Sequence, residues 1–132
     1  MPDAAILAGP LEGLKPRALT VDGRSCTLAD APFSAMLTMR GNPGHARFVA
    51  AVLQATGMHL PLRANSASID PQRQLLWLGP DEWMLKVRHD AAHGGAAIAN
   101  ALRQSLQGIH SAVVEVGDGS ATLAVKGAAP SQ

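Results

Sequence analysis

Tyrosine is absent from this chain, and phenylalanine and tryptophan occur twice each. With aromatics at 3% of 132 residues, ring stacking cannot carry the core. Much of the 47% apolar share is alanine, which buries little area per residue. The core must then rest on a modest set of Leu, Val, Ile and Met together with the two tryptophans. Cysteine occurs once, as Cys26, which excludes an intrachain disulfide and agrees with a reducing compartment. Charge is scarce as well: 16% charged residues, a formal net charge of +1 and a pI near 8.0. The basic residues are scattered, so the basic patch of a nucleic-acid binder is missing. No apolar run approaches the roughly 20 residues of a membrane span. The start, MPDAAILAGPLEG, has an early Asp3 and no basic residues ahead of its apolar run, which does not fit a secretory signal. The expected location is the cytoplasm.

What remains is enough apolar material for one collapsed domain. Pro2, Pro10, Pro16 and Pro32, with Gly9, Gly13 and Gly23, interrupt residues 1–32. That segment is expected to be an extended arm with at most one short strand around RSCTLADAPF. From Phe33 the pattern becomes regular. FSAMLTMR alternates as a strand, with Phe33, Ala35, Leu37 and Met39 on one face. Asn42 and Pro43 suit the cap and first position of a helix in which Phe48, Val49, Val52, Leu53 and Thr56 recur at helical spacing, and Gly57 ends it. A short extended piece is expected at Leu60 to Leu62.

The densest signal is QLLWLGPDEWMLKV, residues 74–87, which holds both tryptophans. Pro80 fixes φ for the second position of a turn and Asp81 suits the third, so Gly79-Pro80-Asp81-Glu82 joins two strands in a hairpin. Asp90 is placed to cap a second helix, whose apolar face is Ile98, Ala101, Leu102, Ser105, Leu106 and Ile109. SAVVEVGDGSATLAVKG reads as strand, Gly-Asp-Gly turn and strand, and residues 128–132 as a tail. The order from Phe33, strand–helix–strand–strand–helix–strand plus one strand, is that of an α+β, ferredoxin-like split βαβ sandwich over 33–127. Two helices would cover one face of an antiparallel sheet. The other face and at least one edge would lack cover within the chain, which calls for a partner surface.

Residues with chemistry in them are sparse. Asp81 and Glu82 form an acidic pair, but a turn tip is wet, and general acid–base work needs carboxylates shifted inside a cleft. His89 and His93 have the i, i+4 spacing of zinc ligands without a third ligand or a glutamate base; His45, His59 and His110 stand apart. Arg40 and Arg47 flank MRGNPGHAR, which meets a helix N-terminus where an anion could sit, though neither a Walker loop nor a dinucleotide fingerprint is present. Cys26 has no histidine near it. No catalytic, cofactor or metal residue is therefore assigned. Trp77 and Trp83 are read as structural or interface anchors, with Gly79, Pro80, Asp81 and Glu82 shaping the turn between them.

LLWLGPDEWMLKV, the alanine-rich helix after it and GIHSAVVEVGDGSATLAVKG together resemble the gamma subunit of heterotetrameric sarcosine oxidase. FSAMLTMRGNPGHARFVAAVLQATGMHLPLRAN fits the preceding segment of that family. The resemblance covers about Phe33 to Gly127. It implies a fold like half of the folate-binding domain of the glycine-cleavage aminomethyltransferase. It also implies membership of a complex that oxidatively demethylates sarcosine to glycine and passes the one-carbon unit to tetrahydrofolate. In that complex FAD, FMN, NAD and the folate site belong to the alpha and beta subunits and zinc to a small delta subunit. The resemblance places none of these in this chain and makes alpha and beta subunits its expected partners. Members of the family usually continue into a second, similar α/β half. An isolated chain that ends at AAPSQ is accordingly expected to oligomerise, exchange strands or be poorly stable. Two other readings stay open. One is a stand-alone module for a folate-like ligand held between sheet and helices by Arg40, Arg47 and the tryptophans. The other is a free-standing enzyme relying on Asp81, Glu82 and the histidines.

Overall fold

The computed structural model describes residues 11, 15–31, 34–88, 94–117 and 121–127. The chain divides into two compact units, Ser34–Asp118 and Met1–Phe33 with Gly119–Gln132. The smaller unit is a sheet of β1 (Arg17–Val21), β2 (Arg24–Asp30) and β8 (Leu123–Gly127), in the order β1-β2-β8 and antiparallel throughout. Residues 17–30, expected as an arm with one short strand, thus carry two strands. Asp22 and Gly23 join them with positive φ angles of 49° and 74°, the two-residue turn whose twist matches paired strands.

The larger unit holds β3 (Ser34–Gly41), α1 (Ala46–Thr56), β4 (Ala67–Ile69), β5 (Arg73–Gly79), β6 (Glu82–Arg88), α2 (Gly95–Ser105) and β7 (Ser111–Glu115). Its sheet order is β4-β5-β6-β3-β7. Without the short β4 this is the split βαβ topology that the sequence order implies, with two helices on one face. The face toward the helices supplies Leu37, Met39, Leu75, Trp83, Leu85 and Val87 to the core, and the helices supply Phe48, Ala51, Val52, Ile98, Ala99 and Leu102. The alternation of β3 and β6 thus sets which side chains meet the helices.

Local chemistry shifts several boundaries. Asn42 does not cap α1. Its Oδ1 accepts from the Gly44 N–H at 2.8 Å and its carbonyl from the His45 N–H at 3.1 Å. The asparagine closes a turn of its own, and α1 starts at Ala46 after His45, with no side-chain cap. Gly57 ends α1 at φ 69° with its N–H on the Leu53 carbonyl, the left-handed stop that glycine allows. The strand expected at Leu60 to Leu62 is not formed, and β4 lies at Ala67–Ile69. The α2 helix opens at Gly95 after Gly94; Asp90 and Phe33 lie outside the described residues. The hairpin expected between β7 and β8 is also not formed, since β7 pairs with β3 and β8 with β2. The Val116 N–H bonds to the Met36 carbonyl at 2.9 Å, and a Cβ on Gly117 would lie 3.1 Å from the Met36 nitrogen. The chain therefore runs on against β3 where the glycines suggested a reversal. Among the described residues no helix is long and apolar enough to cross a membrane.

Asp70 organises the turn from β4 to β5. Its Oδ1 accepts from the N–H groups of Gln72 (2.8 Å) and Arg73 (2.7 Å), and its Oδ2 faces the Arg73 guanidinium at 3.0 Å. Desolvation acts to raise the Asp70 pKa, but the two backbone donors and the Arg73 charge together hold the carboxyl below its usual range. A carboxyl depressed on folding stabilises the protein above its unfolded pKa, near 4, and loses that contribution as pH falls through the lower folded value. The pair is partly solvated, which limits its worth. Asp70→Ala is expected to cost about 1 kcal/mol at pH 7. The gap from wild type should shrink when urea midpoints are compared at pH 7 and below pH 4.

Candidate functional site

The β5–β6 hairpin forms where its residues predict it, with Leu75↔Leu85, Leu76↔Met84 and Trp77↔Trp83 in register. A register shift between Trp77 and Gly79 adds Leu78 as an extra residue and leaves it 45% exposed. Such a bulge bends the strand just before its turn. Glu82 then pairs with Arg40 of β3 in register, and their side chains form an ion pair at 3.0 Å. The hydrogen bond to Glu82, followed by the attraction of Glu82 and Asp81, raises the Arg40 pKa above its usual value. The Gly41 N–H bonds to the Asp81 carbonyl at 3.1 Å, which ties the turn to the end of β3. Asp81 and Glu82 thus act on their immediate neighbours in the sheet.

The two indoles have different roles. Trp83 is wholly buried. Its Nε1 donates to the Pro61 carbonyl at 2.8 Å, and its ring lies 5.8 Å from that of Phe48 at a 41° tilt. One side chain thereby joins the hairpin, α1 and the loop after α1. Of the structural and interface roles open to the tryptophans, Trp83 takes the structural one, because it has no surface to offer. Trp77 is partly buried against the same core. Phe48 belongs to the apolar spacing read for α1, but its contact with Trp83 and the Pro61 acceptor carry no sequence signal of their own; the need of a buried indole N–H for an acceptor is the one pointer to a nearby carbonyl.

The remaining candidates do not converge. His45, His59 and His110 lie in separate loops, and His89 and His93 fall outside the described residues. Among the described residues no group of His, Cys, Asp or Glu is placed to hold a metal. Cys26 sits half-buried on β2, opposite Leu19 and Gly127. The space between sheet and helices, assigned above to a folate-like ligand, is filled by Phe48, Trp83, Leu102 and their neighbours. An open groove of about 620 Å³ does lie at the hairpin tip, lined by Arg40, Asn42, Pro80, Asp81 and His110 among others.

The sheet face away from the helices is the larger feature. By register, Ala67, Leu76, Met84, Thr38 and Val114 form one row across all five strands. Ile69 borders this row at 68% exposure and Val114 ends it at 51%. No described element of the larger unit lies on this face. Ile69 and Val114 stand at opposite edges of the sheet, with the half-buried Leu76, Met84 and Thr38 between them, and exposed apolar side chains on a sheet face offer a surface for contact.

A family model described as "Sarcosine oxidase, gamma subunit family" matches residues 40–131. Among solved structures, a chain of the heterotetrameric sarcosine oxidase from Corynebacterium sp. U-96, in complex with pyrrole 2-carboxylate, superposes with a TM-score of 0.67 at 28% identity. The match covers 77% of this chain and 50% of that one, so the chain spans about half the length of its solved counterpart. No curated protein matches.

Proposed function

The chain belongs to the sarcosine oxidase gamma subunit family, and from that premise we propose that it is a non-catalytic subunit of a sarcosine oxidase complex, acting in assembly or stabilisation. The observation that supports this reading is the exposure of Ile69 (68%) and Val114 (51%) on the sheet face on which no described element of the larger unit lies. In this reading the face packs against an alpha or beta subunit in the cytoplasm. The complex oxidises sarcosine to glycine and transfers the one-carbon unit to tetrahydrofolate. Flavins, NAD, folate and zinc are held by the other subunits, and this chain supplies a rigid surface.

The test is a pair of substitutions on that face. Ile69→Lys with Val114→Lys is expected to weaken binding to the purified alpha and beta subunits at least about tenfold, roughly 1.4 kcal/mol. Both side chains are exposed, so the melting temperature should hardly move. Calorimetric titration and a thermal melt read the two effects separately. Unchanged affinity in a folded double variant would remove the sheet face from the proposal.

A further inference from the structure

The outer edge of β7 is free of any strand among the described residues, and its backbone orientation is fixed. The Val116 N–H turns inward to the Met36 carbonyl, so alternate residues Ala112 and Val114 also address β3. Val113, between them, points its carbonyl outward, and the Arg103 guanidinium of α2 donates to it at 3.3 Å. Ser111, Val113 and Glu115 therefore present their backbone groups to an incoming strand. An arginine is a weak substitute for that strand, because it satisfies one carbonyl and leaves the row of donors open.

We propose that this edge is a self-association site, at which β7 of a second copy of this chain pairs antiparallel about a two-fold axis through Val113. The occupant is favoured by charge: Arg103 and Glu115, both exposed, flank the edge, and pairing about the middle of Ser111–Glu115 brings them together. With Val113 opposite Val113 of the second copy, Ser111 faces Glu115 and Ala112 faces Val114, in both directions at once. An isologous contact requires this self-match. Val113 becomes a hydrogen-bonded pair exchanging both N–H···O bonds, as do Ser111 and Glu115. Arg103, displaced from the Val113 carbonyl, meets the Glu115 carboxylate of the second copy, which projects on the same side of the sheet. Among the described residues the ion pairs are Arg40–Glu82 and Arg73–Asp70, so Glu115 is not committed to one. The helix face that carries Arg103 also carries Ala96 and Asn100 at i−7 and i−3, both exposed. These short side chains let the two α2 helices approach across the axis.

Sedimentation equilibrium on the full chain tests this. Wild type is expected at twice the 13.6 kDa chain mass. Glu115→Arg places like charges together and should weaken the dimer at least about tenfold; Arg103→Glu combined with Glu115→Arg should restore it. Val113→Pro removes an outward N–H without breaking the β3–β7 ladder and should give a monomer. Should Val113→Pro lose its far-UV dichroism, the exposed charge pair still decides. A wild-type monomer at high concentration overturns the proposal. So does a dimer that survives Glu115→Arg, or one that fails only with Ile69→Lys, which would assign association to the sheet face.

Discussion

Replacing Trp83 by alanine is expected to cost about 3–5 kcal/mol, the range for deleting a large buried aromatic side chain. Set against a total of roughly 5–15 kcal/mol for a domain, that loss should abolish cooperative unfolding or bring it close to ambient temperature. The size follows from position. Trp83 is wholly buried, packs on Phe48 and sends its indole N–H to Pro61, so truncation opens a cavity at the meeting point of sheet, helix and loop. Trp83→Phe separates the contributions. It keeps most of the ring but leaves the Pro61 carbonyl without its donor, and should cost less than the alanine variant, about 1–3 kcal/mol. Urea unfolding followed by far-UV dichroism measures both. Equal, small losses would show that the junction is not held by this residue.

Gly41→Ala is expected to cost about 1–3 kcal/mol. At the end of β3 the Phe48 ring lies where a Cβ on residue 41 would sit, and the overlap involves three of its ring carbons. The backbone cannot retreat freely, because the Gly41 N–H is held by the Asp81 carbonyl and β7 pairs along the same strand. The ring must move, and it packs at a tilt against Trp83. A double-mutant cycle with Phe48→Leu should therefore show coupling: adding the methyl should cost less once the ring is gone. Additive losses would mean that the strain is local to the strand end.

Much of this was legible in the residues, and the failures have physical reasons. The β5–β6 hairpin was readable because turn chemistry at Pro80-Asp81 and alternation on both sides agree. The split βαβ order followed from helical spacing through Phe48 to Thr56 and again through Ile98 to Ile109. The β1–β2 hairpin was missed although Asp22-Gly23 carries a strong two-residue turn signal, because surrounding prolines and glycines suggested an irregular arm. The Gly117 region failed the other way: its glycines suit a turn, yet Val116 and Gly117 lie against β3, a long-range contact that no local pattern encodes. Asn42 has the side chain of a cap and spends it on Gly44 two residues on. The site divided similarly. Both tryptophans stood out, but only their environment separates Trp83, which is internal, from the exposed Ile69, Leu78 and Val114. Arg103 gave no sequence signal, since its partner is a backbone carbonyl on an edge strand.

The most direct test mixes the wild-type chain with purified alpha and beta subunits of a sarcosine oxidase and follows the mass of the eluting species by light scattering, with sarcosine turnover assayed on each fraction. The chain is predicted to co-elute with those subunits and to show no turnover alone. A folded chain that elutes apart from them, or that oxidises sarcosine unaided, would contradict the account.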